Sequence, residues 1–67
     1  LSDTYIITFG SGAVAKVTEA ESLIDAVFEA SFERDDVLLK EAKAKNPSTK
    51  EKPHDRVVQA VLDKSGS

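Results

Sequence analysis

Gly10-Ser11-Gly12 follows the β-branched run Ile6-Ile7-Thr8-Phe9 and is followed by Ala13, Val14 and Ala15. On paper this is the G-x-G-x-x-A form of a dinucleotide-binding turn, which needs a helix to open at once with its amides on a pyrophosphate. Residues 13–17 instead alternate as a strand does, and 67 residues are too few for a doubly wound nucleotide-binding fold. The turn therefore reads as a hairpin loop, and no cofactor is expected. His54 is the single histidine and the chain has no cysteine, so no imidazole or thiolate cluster can hold a metal. Glu33, Asp35 and Asp36 form an acidic cluster, but helix neighbours diverge by about 100° and do not converge on one ion. An aspartate N-cap at a helix break explains the cluster better. No serine sits in a G-x-S-x-G elbow or at the spacing of a nucleophile and its base. The expectation is a non-enzymatic chain, with no catalytic residues and no metal.

What remains is charge. From Glu19 to Asp36 there are seven acidic residues and one basic, a local balance of -6. From Lys40 to Arg56 there are six basic residues (Lys40, Lys43, Lys45, Lys50, Lys52, Arg56) against three acidic, a balance of +3. On the helix expected over residues 18–33, the carboxylates Glu19, Asp25, Glu29 and Glu33 fall mostly opposite the apolar side, where they would steer a basic partner. The basic segment 40–56 supports a second reading, nucleic-acid binding through its cations. The sequence pI near 5.0 weighs against it.

The elements that must position these charges follow from periodicity. Residues 4–9 are aromatic and β-branched, with Tyr5, Ile7 and Phe9 on one strand face. Ala13 to Val17 returns as a second strand, giving a hairpin over residues 4–17. Thr18 and Glu21 have the capping-box spacing and open a main helix over 18–33, with Leu23, Ile24, Val27, Phe28 and Phe32 on its core side. A break near Asp35 and Asp36 leads to a second helix over 36–45, stopped by Asn46-Pro47. Residues 46–53 read as a polar loop. Val57, Val58, Val61 and Leu62 form a stripe for a last helix over 54–64, stopped by Ser65-Gly66-Ser67. The β-branched content of that run also permits a strand.

The expected architecture is α+β: an N-terminal hairpin packed on a central amphipathic helix, then two shorter helical segments in one small domain. The expected core is Tyr5, Ile7, Phe9, Val17, Leu23, Ile24, Val27, Phe28, Phe32, Leu38, Leu39, Val57, Val58, Val61 and Leu62. No apolar run reaches the ~20 residues of a bilayer span and no signal-peptide pattern is seen, so a cytoplasmic protein is expected. So small a core without disulfides makes the chain marginal alone. The functional expectation is a small accessory or regulatory protein that binds another protein, with self-association as a homodimer or other oligomer.

Overall fold

The computed structural model describes residues 3–64. Three strands and one helix make up the fold: β1 (Asp3–Phe9), β2 (Val14–Ala20), α1 (Leu23–Lys45) and β3 (Val57–Leu62). The sheet order is β2-β1-β3, with both neighbours antiparallel to β1. Alternation decides which face is covered. Tyr5, Ile7 and Phe9 point under α1 and are buried, and they pair with Val17, Ala15, Leu62, Ala60 and Val57. Thr4, Ile6 and Thr8 occupy the other face and are half-buried. The helix closes the core with Ala26 and Ala30, joined by Val17 and Ala20 from β2.

At the hairpin loop the Gly12 amide donates to the Phe9 carbonyl at 2.9 Å and the Phe9 amide to the Ala13 carbonyl at 2.9 Å. Gly12 has φ 98°, a left-handed conformation that glycine adopts without steric cost. The turn joins two strands and opens no helix.

Four expectations are corrected. The main helix does not start at Thr18: β2 runs through Ala20, burying Val17 and Ala20. Ser22 is the N-cap, its hydroxyl accepting from the Asp25 amide at 3.2 Å. Two cap spacings compete here, and the one that lets β2 complete its pairing with β1 prevails. The break at Asp35 and Asp36 is absent, and α1 runs 23 residues to Lys45. Asp35 faces His54 rather than capping a turn, with Nδ1 to Oδ1 at 3.0 Å. The helix ends where expected: the Asn46 amide reaches the Ala42 carbonyl at 2.8 Å and Pro47 comes next.

The last helix over 54–64 is also not formed. Val57–Leu62 is a strand, pairing Tyr5 with Leu62 and Ile7 with Ala60. A two-stranded hairpin is marginal in water. Here β1 gains a second neighbour, and the β-branched residues gain a pleated surface that suits them. The stop expected at Ser65-Gly66-Ser67 lies outside the described residues. The core is the fourth correction. Leu23, Ile24, Phe28, Phe32, Val58, Val61 and Leu62 are exposed, while Val27, Leu38, Leu39 and Val57 are half-buried.

Candidate interaction surfaces

Two exposed surfaces are built by α1 and by the segment that leads from it to β3. The first is an apolar stripe. Ile24, Phe28 and Phe32 recur every four residues and so stand one above the other on the helix. They are 63%, 56% and 66% exposed. The Phe28 and Phe32 rings stack with centroids 6.3 Å apart and planes 14° from parallel. The residue after each stripe member is a carboxylate: Asp25, Glu29 and Glu33, all exposed. One residue further is about 100° around the axis, so a line of negative charge runs beside the stripe. Of the four carboxylates expected on the acidic helix face, three therefore lie together. Glu19 lies elsewhere, in β2, exposed and with φ 62°.

The sheet beneath explains why the stripe faces water. Tyr5, Ile7 and Phe9 form a bulky layer, and only small side chains let a helix backbone approach it closely. Ala26 and Ala30 meet that need and are fully buried. Docking through them turns Phe28 and Phe32 away. The aromatic periodicity was legible, but the two alanines that compete for the same role carry a weaker hydropathy signal.

The second surface is a basic arm. Arg34 is held at the hairpin end of the sheet, where its Nε meets Asp55 Oδ2 at 3.0 Å. The rest of α1 must then run past the sheet, and residues 46–56 return beside it to enter β3. The molecule is accordingly elongated, 43 × 20 × 16 Å. Thr49 fastens the return, donating its hydroxyl to the Asn46 carbonyl at 2.7 Å, and Asn46 Oδ1 accepts from the Ser48 amide at 3.1 Å. Lys40, Lys43, Lys45, Lys50 and Lys52 are exposed on this arm, with Glu41 and Glu51 among them. Arg56 sits at its root, its carbonyl accepting from the Gly10 amide at 2.7 Å.

The root of the arm is a polar knot. Asp55 is only 8% exposed and accepts from the Ser11 hydroxyl, the Ser11 amide at 3.1 Å and Arg34. The Ser11 hydroxyl chiefly, and then Arg34 and the Ser11 amide, hold its carboxyl below the usual range, against burial, which pushes it up. This knot joins the hairpin loop, α1 and the approach to β3. Its partners are mutually satisfied, which makes it a structural tie.

A shallow cleft between β2 and α1 is lined by Phe9, Val14, Ala30, Glu33, Arg34 and Val37. Among the described residues no group of three or more acidic or imidazole side chains could hold a metal, and no helix is long and apolar enough to cross a membrane. No family model, curated protein or solved structure matches this chain.

Proposed function

We propose that the chain is a small non-enzymatic protein–protein interaction module, docking its partner on the stripe of Ile24, Phe28 and Phe32. The observation that carries the reading is three large apolar side chains in one line left in water. Burying what remains exposed would gain each about 1–2 kcal/mol, so the helix presents a binding surface waiting for a cover. Asp25, Glu29 and Glu33 along one border favour a partner whose apolar residues alternate with lysine or arginine. An amphipathic basic helix has that chemistry.

The test uses an 18-residue amphipathic peptide of leucine and lysine, labelled for fluorescence anisotropy, with a leucine and glutamate peptide as control. Binding of the basic peptide, weakened by raised salt, by Glu29→Gln/Glu33→Gln and by Phe28→Ser/Phe32→Ser, is expected. Equal binding of both peptides, or of neither, would sink the reading.

The gathering of five lysines on a projecting arm favours a second reading, nucleic-acid binding. A labelled oligonucleotide at low salt tests it. The expected mark is an affinity that falls steeply with salt and drops further in Lys43→Glu/Lys50→Glu.

A further inference from the structure

The two edges of the sheet are unlike. β2 is defended against further pairing: it carries Lys16 and Glu19, Glu19 is in the left-handed region, and its register with β1 slips between Asp3 and Tyr5. Charges, bulges and kinks are how natural sheets keep an edge from recruiting another strand. β3 has none of the charge. Val57-Val58-Gln59-Ala60-Val61-Leu62 holds no ionisable group, no proline and no glycine, and four of its six residues are exposed. Its one irregularity lies at the start, where the register slips opposite Thr8 and Phe9. From Gln59 to Leu62 it pairs regularly with β1, and among the described residues no strand pairs with its outer side.

We infer that β3 is a dimerisation edge, and that its occupant is the β3 of a second copy, antiparallel and related by a two-fold axis near Ala60. Symmetry and charge together select this face. In a two-fold contact each patch meets its own copy, so pairing through the line of Asp25, Glu29 and Glu33 or through the lysine arm would set like charges together. At β3 two copies meet with no charge in either strand. Antiparallel pairing of a strand with itself is isologous and closed, which suits a two-fold dimer. The joined sheet has six strands in the order β2-β1-β3-β3-β1-β2, and the defended β2 edges end it on both sides.

The helices then have a defined relation. A two-fold axis perpendicular to the sheet places both on one face. Since α1 lies across all three strands, the helix axes stand roughly three strand spacings apart, about 14 Å. Close-packed helices lie about 8–10 Å apart, so the gap takes one layer of side chains. Ile24, Ser31 and Asp35 share a helix flank, and Asp35 touches His54 on the segment leading to β3. That flank faces the gap, so Ile24 helps to fill it. Phe32, farther around the axis, stays in water. This inference rests on the β3 edge, shares only Ile24 with the docking stripe, and leaves Phe28 and Phe32 free for a partner.

Sedimentation equilibrium of the whole chain, combined with hydrogen exchange at two concentrations, tests it. The expected result is twice the monomer mass, with amides of residues 57–62 better protected at the higher concentration. Gln59→Lys/Val61→Lys, two exposed positions facing away from α1, should give a folded monomer by circular dichroism, while Phe32→Ser stays dimeric. A monomer at all concentrations, or protection of 57–62 that ignores concentration, overturns the proposal. So does a dimer lost in Phe32→Ser and kept in the lysine variant, or open-ended assembly. If the lysine variant fails to fold, the exchange measurement on the unaltered chain decides alone. A monomer that still binds the basic peptide would leave the docking reading intact; a β3 dimer that binds no peptide would remove only that reading.

Discussion

The two sides of α1 invert the usual arrangement of a surface helix. The side against the sheet is small, with Ala26 and Ala30 fully buried, and the side toward water carries Ile24, Phe28 and Phe32. The difference teaches that burial is decided by fit between layers as much as by hydropathy. The sheet face of Tyr5, Ile7 and Phe9 already fills the interlayer space, so the helix side must be thin. A thick helix side would hold the layers apart and leave voids beside the strands. The large side chains are then left over, and a stripe that a single-chain core would have absorbed becomes surface.

This contrast can be broken most severely from the sheet side. Phe9→Ala removes the largest fully buried side chain and should cost about 3–5 kcal/mol by denaturant unfolding. If the cost is under about 1 kcal/mol, the thin layer over Phe9 is not close-packed. Ala30→Leu thickens the helix side instead, and overpacking should cost about 1–3 kcal/mol. A neutral result would show that α1 can lift or roll at little cost.

A smaller effect is expected at the arm root. The lowered Asp55 pKa means that this group binds its proton less readily folded than unfolded. Its contribution is therefore present above the ordinary carboxylate pKa of about 3.9 and is lost as pH falls through the lowered folded value. Asp55→Asn should reduce stability at neutral pH and flatten that part of the acid unfolding curve. An unchanged acid limb would mean that other carboxylates carry it. The smallest effect belongs to the water side of α1. Phe28→Ser and Phe32→Ser should each move stability by no more than about 0.5 kcal/mol, while abolishing binding of the basic peptide. A large loss of stability at either would place these rings in the core and remove the contrast altogether.

How much of this was legible in the sequence depends on which rule was unopposed. The hairpin was readable because alternation, β-branched residues and a glycine loop all agree over residues 4–17. The stop at Asn46-Pro47 was readable because proline leaves little choice. The start of α1 was not, since Thr18 with Glu21 and Ser22 with Asp25 offer rival caps and strand pairing decides between them. Val57 to Leu62 has apolar spacing compatible with either period, and its strand state depends on an open edge of β1 some 50 residues away in sequence. Asp25, Glu29 and Glu33 still share one side of α1, because helical spacing holds wherever the helix begins, but they border Ile24, Phe28 and Phe32 rather than lie opposite them. Glu19 is not among them, because it lies upstream of the cap. The stripe could not be assigned to water from spacing alone, since spacing says which residues share a side and not which side docks.

The projecting arm has a consequence for how the molecule is sensed by charged neighbours. Carboxylates cluster over residues 19–36 and ammonium groups over residues 40–52, and the long dimension is 43 Å. At physiological ionic strength the Debye length is about 8 Å. Along α1 the carboxylates of Asp25 and Glu29 stand about 21–30 Å from the ammonium groups of Lys43 and Lys45, so these two stretches are electrically out of earshot of one another. A neighbour within reach of the arm meets a small polycation, and one at the stripe meets a small polyanion; neither responds to the chain's net charge. Isoelectric point and column behaviour describe an average that no approaching molecule encounters.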